Sequence, residues 1–291
     1  MTDNTSLVNI GELAKPATVL VEKISGAIGG VFQPWQIRRV AEAEADAERI
    51  KAVTQMEITE LQRRALQRFI IEEAKKQNNI EVITARALPQ VEANAQPQNI
   101  EDDWITNFFD KCRLISDEEM QILWSKVLAG EANSPGTYSK RTVNFLGSLD
   151  KSDANLFQNL CKFSWLFDNK ELAPLIYDLK DEIYKRHAVN FDSINHFDAI
   201  GLLSFSVSAS YELIDLPRKI QTSYYGALVD IEFENKSDNR LVTGRVLLSK
   251  VGQELAPICG SAPIPEFIDY CLEKWIQKGL IVSSPIRIGK Q

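Results

Sequence analysis

Between residues 36 and 76 there is neither glycine nor proline, and no other feature narrows the fold as much. Ala41, Ala43, Ala45 and Ala47 alternate there with Glu42, Glu44, Asp46 and Glu48. Most of these residues favour helix and none is large, so the stretch reads as a helix that is polar all round. Such a helix bridges bodies or packs through its alanines. Further on, Ile50, Val53, Ile58, Leu61, Ala65, Leu66, Phe69 and Ile70 supply an apolar stripe, with charges of both signs on the other face. Residues 36–88 are therefore expected to form a long charged helix or coiled-coil stalk. Pro34 fits its first turn, where a missing N–H does no harm. Gln77-Asn78-Asn79 is expected to break or turn it.

Residues 1–35 read as an amphipathic N-terminal helix. Leu13, Ala17, Leu20, Val21, Ile24, Ala27, Ile28 and Val31 recur at spacings of three and four. The longest uncharged run is residues 24–37, short of the ~20 needed to span a bilayer. Gly26 and Gly30 make a G-x-x-x-G pair, which allows close helix approach but costs helix stability. Phe32, Trp35, Arg38 and Arg39 follow as aromatic and then basic residues, an order suited to a lipid headgroup boundary. The helix can dock on the protein's own core, on a second copy, or on a membrane surface. The residues for self-association or membrane contact are Leu20, Ile24, Gly26, Ile28, Gly30, Val31, Phe32, Trp35, Arg38 and Arg39.

Charge separates the chain into regions. Residues 1–35 carry a net charge of −1, residues 36–88 of +1, and residues 89–291 of −7, giving −7 overall in 291 residues. This balance argues against nucleic acid as a partner. Residues 89–100, with two prolines and many amides, read as a linker. Cys112, Cys161, Cys259 and Cys271 show no metal-ligand spacing, and His187 and His196 lie nine apart, so the expectation is free thiols, no metal and no cofactor. No secretory signal is evident, which suggests a cytoplasmic protein or one on the inner face of the membrane.

The remainder reads as a helical subdomain (101–169) and a winged-helix-like acidic domain (170–291). Trp104, Ile105, Phe108 and Phe109 share a helix face. Ser116-x-x-Glu119 is a capping box for a helix stopping near Gly130, and 133–136 is a turn. Ser139 and Asp150 open two further helices. Residues 190–200 form a helix ending at Gly201, followed by strand 202–207. Strands 224–233 and 241–248 flank a polar turn, Ser249 caps a helix, and a helix (266–278) and a strand (280–283) close the chain. The helix in the reading position of a winged helix carries Asp192 and Asp198 but no lysine or arginine, which favours a protein partner over DNA. No nucleotide-binding, zinc-protease or nucleophile-elbow motif occurs. Asp178, Asp181 and Glu182 read as a solvated helix face.

Several runs together carry a resemblance. They are Leu13-Ala14-Lys15-Pro16, Ile28-Gly29-Gly30-Val31-Phe32-Gln33-Pro34-Trp35-Gln36-Ile37-Arg38-Arg39, Leu123-Trp124-Ser125-Lys126-Val127-Leu128-Ala129-Gly130-Glu131, Ser139-Lys140-Arg141-Thr142 and Leu149-Asp150-Lys151-Ser152-Asp153-Ala154. Their order resembles an uncharacterised bacterial family of unknown function, which in turn resembles the abortive-infection alpha proteins of phage defence. The resemblance implies a bacterial cytosolic or membrane-associated protein acting in defence, and supplies no active-site residue. The expected architecture is mainly α (α+β): a long helical arm, a helical layer, and winged-helix-like units with short antiparallel strands. The expected role is non-enzymatic interaction or sensing, as a homo-oligomer with a protein partner. The alternative is a winged-helix transcriptional regulator.

Overall fold

A computed structural model of the chain describes residues 14–28, 59–168 and 171–284. The fold is mixed α+β with small antiparallel sheets, divided into two compact units at 148/149.

The first unit is helical. α1 (Lys15–Ile28) buries Ala17, Leu20, Val21 and Ile24, one stripe at the spacing of a helix face. α2 (Glu60–Ala87) opens on a capping box in which the Thr59 hydroxyl accepts from the Gln62 N–H and the Gln62 side chain accepts from the Thr59 N–H. α3 (Asp102–Cys112) and α4 (Glu118–Asn133) bring Trp104, Phe108 and Trp124 into one aromatic seam with ring centroids 5.0–5.1 Å apart. α5 (Lys140–Leu146) starts at Ser139, whose hydroxyl accepts from the Thr142 N–H.

Four local expectations change here. α2 does not break at Gln77-Asn78-Asn79 but runs on to Ala87. The Asn79 amide donates to the Arg113 carbonyl at 2.8 Å, so the residue that reads as a breaker is a buried tie between helices. Residues 89–100 are not a loose linker. Two 3-10 turns are held to the end of α4: Leu88–Gln90 by Asn133, which accepts from Glu92 N–H and donates to the Gln90 carbonyl, and Pro97–Asn99 by the Gln96 N–H, which donates to the Ala132 carbonyl at 3.1 Å. The N-cap of α4 is Asp117 rather than Ser116. The same helix passes through Gly130, where a Cβ would stand 2.7 Å from the Tyr138 ring; the glycine admits a neighbour instead of ending the helix.

After α4, Thr137 N–H donates to Ser134 C=O at 3.1 Å, with Pro135 and Gly136 (φ +91°) at the two central positions, as a type II turn requires. The buried Glu131 carboxylate fixes this turn by accepting from Gly136 N–H (2.7 Å) and Tyr138 N–H (2.9 Å). Glu131→Ala strands both donors. It is expected to cost the first unit about 2–4 kcal/mol, read as a lower urea midpoint, with Glu131→Gln losing less because one carbonyl acceptor remains.

The second unit begins with α6 (Lys151–Cys161) and builds a five-stranded antiparallel sheet in the order β2-β1-β5-β6-β9. Its strands are β1 (Ser164–Phe167), β2 (Glu171–Pro174), β5 (Lys219–Tyr224), β6 (Ala227–Glu232) and β9 (Ile281–Ser283). Two pairs stand beside it: β3 (Leu203–Phe205) with β8 (Val246–Leu248), and β4 (Tyr211–Leu216) with β7 (Asn239–Gly244). The helices α7 (Glu182–Lys185), α8 (Phe191–Ile200), α9 (Lys250–Leu255) and α10 (Pro265–Gln277) complete it. One sheet face carries Trp165 and Tyr224, which meet Trp275 and Phe267 of α10 at 4.9 and 5.6 Å between ring centroids.

The expected hairpin between 224–233 and 241–248 does not form. β6 pairs with β5 and β9, while β7 and β8 pair with β4 and β3. Two of the four partners, β4 and β5, come from a stretch (211–223) in which the sequence marks no strand, whereas β3 and β9 lie within the expected strands 202–207 and 280–283. Gly244 divides the second stretch: at φ +111° it bridges Ile176, and a Cβ would fall 2.2 Å from the Ile176 carbonyl oxygen. Gly244→Ala therefore meets both a wrong backbone conformation and a backbone clash. A loss above about 2 kcal/mol is expected on thermal or urea unfolding, against a smaller loss for Gly136→Ala, which has open space around it.

Candidate functional site

Of the residues singled out at the N-terminus, Leu20 and Ile24 are fully buried against α3 and the Pro97–Asn99 turn. Lys23 reinforces that docking, with Nζ 2.8 Å from the Asp102 carboxylate. These two apolar residues face the protein's own body and are not presented to lipid or to a second chain. Gly26 is exposed with nothing within 4 Å of a Cβ position, and Ile28 is half-buried. Gly30, Val31, Phe32, Trp35, Arg38 and Arg39 lie outside the described residues. Since Gly26 touches nothing here, Gly26→Ala is expected to leave stability unchanged or raise it by up to ~1 kcal/mol in thermal unfolding. A loss would mean that another surface packs on that glycine.

The free surface of this unit is on α2. Its burial begins only at Asn79, while Leu61, Phe69 and Ile71 are 70, 59 and 69% exposed. Leu61, Ala65 and Phe69 succeed one another at four-residue intervals and are all exposed, a short apolar line along the helix. Arg63–Glu60 and Arg68–Glu72 pairs and a half-buried Lys76–Glu73 pair flank it, the solvated pairs each worth little alone.

The chemistry-bearing side chains of the second unit are mostly occupied in structure. Asp181 accepts from the Tyr270 hydroxyl at 2.6 Å, and the Tyr184 hydroxyl donates to the Leu175 carbonyl, burial pushing both tyrosines well up. Asp181 and Glu182 sit at the start of α7, and Asp178 lies before it, so the three do not share a helix face. His187 packs on the edge of Phe163, where desolvation lowers its pKa. His196 pairs with Asp153 at 3.0 Å. On α8, Asp192 and Asp198 are exposed. Among the described residues no group of His, Cys, Asp and Glu could hold a metal, and no helix is long and apolar enough to cross a membrane. The four cysteines are free thiols, and all but Cys259 are buried.

A cavity of about 200 Å³ in this unit has no motif behind it. It lies on the sheet face opposite Trp165. Leu166 pairs with Leu172 on one side and Ser223 on the other, so all three point the same way, and Ser164 shares that face two residues along β1. Pro257 and Ser261 supply the opposing wall. The rim is the β5–β6 turn, a two-residue loop in which Tyr225 and Gly226 have φ +47° and +86°. That is the type I′ geometry, normally reserved for Asn-Gly or Gly-Gly, and a tyrosine adopts it only against strain. Its hydroxyl is held by Ser261 Oγ at 2.6 Å and the Cys161 carbonyl at 3.1 Å. The sequence signal for the cavity was the alternation Ser164-Trp165-Leu166-Phe167, but nothing in it marked the polar face as enclosed.

The model of a family described as a protein of unknown function (DUF2806) matches residues 63–272. That span is more than half of the chain, and the chain belongs to this family. Comparison with curated proteins gave no match, and comparison with solved structures gave none.

Proposed function

We propose that this member of the DUF2806 family is a non-enzymatic interaction and sensor protein that self-associates through its helical arm and acts in bacterial anti-phage defence of the abortive-infection kind. The observation that carries the self-association is the exposed apolar line Leu61, Ala65 and Phe69 on the half of α2 that the described residues of its unit leave uncovered. The occupant is a second copy of the same helix. Two antiparallel copies centred on Phe69 bring the Phe69 side chains to the middle and set Arg64 beside Glu73 of the second copy, while Arg63 falls opposite Lys75, so the apolar line rather than the charges carries the pairing. The defence context rests on the family resemblance carried by the Leu123–Glu131 and Leu149–Ala154 runs.

A winged-helix regulator is the second reading. The order α6, β2, α7, α8, β3 and β8, with β3 paired to β8, favours it. The exposed Asp192 and Asp198 weigh against phosphate contact.

Light scattering of the full chain at about 10–100 μM is expected to give a dimer or larger species, and Phe69→Asp to return it to monomer with an unchanged circular-dichroism spectrum, since Phe69 is exposed. A wild-type monomer over that range overturns self-association. Salt-dependent retention of duplex DNA, rather than a flat response, would move the assignment to the regulator.

A further inference from the structure

We infer that the cavity on the β2-β1-β5 face binds one small uncharged ring compound through a hydrogen-bonding edge. Its size sets the first limit. A cavity of about 150 Å³ accommodates benzene, so about 200 Å³ has room for one substituted ring.

Charge sets the second limit. Among the described residues, no lysine, arginine, aspartate, glutamate or histidine lines the space. Burial keeps the Cys161 thiol well above its ordinary range, and desolvation pushes the Tyr225 phenol up to about 12, so both walls are neutral near pH 7. An ionised ligand would lose its water and gain no counter-charge.

A third observation is an unsatisfied polar group beside this space. Ser164 lines the cavity at 6% exposure, and its Oγ is buried without a hydrogen-bond partner. A serine hydroxyl can donate and accept, and a buried one left unpaired is costly. Ser223 and Ser261 add hydroxyls, while Leu166, Leu172 and Pro257 offer apolar walls to the ring faces. The strained Tyr225 turn, tied down by two hydrogen bonds, holds one wall in place. This site goes beyond the self-association reading and can fail independently of it, because Leu61 and Phe69 belong to the other unit.

The probes are benzamide and its charged isosteres benzoate and benzamidinium, tested on the full chain by saturation-transfer NMR and titration. Benzamide is expected to bind with a Kd in the millimolar range, each charged isostere at least about tenfold more weakly. Ser164→Ala should weaken benzamide several-fold, and Ser223→Phe, which fills the space from β5, should abolish binding at an unchanged melting temperature. Should Ser223→Phe fail to fold, Leu172→Phe fills the same space from β2. No benzamide signal at about 10 mM, equal binding of all three probes, or undiminished binding in a folded filled variant would each overturn the site.

Discussion

The alternation along β1 decides the second unit. In Ser164-Trp165-Leu166-Phe167 the odd-numbered pair turns into the core and the even-numbered pair turns out, because successive side chains of a strand take opposite faces. Trp165 is thereby placed against Tyr224 and Trp275, and a shift of one residue would bury the serine in the aromatic core and expose the indole. The pairings Trp165–Ala173 and Leu166–Ser223 carry that choice outward to both neighbouring strands. The core and the cavity are thus two consequences of one register. At the cavity the face turned away from α10 carries Ser164, Leu166, Leu172 and Ser223, which leave space between the sheet and the Ala256–Ile258 turn.

A different constraint governs the first unit. A helix of 28 residues is long enough to persist beyond its packing partners, and among the described residues α2 is anchored at its C-terminal end, by Ile80, Ile83 and Ala87. Its capping box and its exposed ion pairs supply small local stabilisation at the other end. Leu61 and Phe69 add nothing to either. Large apolar side chains on a helix that propensity and capping already support are a cost in solubility unless something covers them, which makes a second copy the economical occupant.

Helices with strong periodic stripes were legible from sequence alone. The Trp104, Ile105, Phe108 and Phe109 face, the caps at Ser139 and Ser249, and the Gly201 stop at φ +87° are all determined within one or two turns of chain. What escaped depends on partners remote in sequence. Asn79 reads as a helix breaker until the Arg113 carbonyl 34 positions away accepts its amide. Gly130 reads as a stop until the Tyr138 ring occupies the space it leaves. The strand pairing was misjudged because Gly244 looks like any strand glycine, and only its approach to Ile176 shows why the ladder must divide there. The cavity was invisible for the same reason: its two walls, β1 and Pro257–Ser261, lie about ninety residues apart.

The span that defines the family, residues 63–272, includes Phe69, the Arg68–Glu72 and Lys76–Glu73 pairs and the described walls of the cavity, but not α1. That division agrees with the physical one. α1 spends Leu20 and Ile24 on its own unit, so its apolar stripe is already satisfied, and its contribution is to stability. Phe69 and the Ser164 hydroxyl are each left unsatisfied by the fold around them, one for want of an apolar neighbour and the other for want of a hydrogen bond. A surface that the fold has already completed has little free energy left to offer a partner, whereas these two positions retain theirs, and recognition is expected where the structure is incomplete.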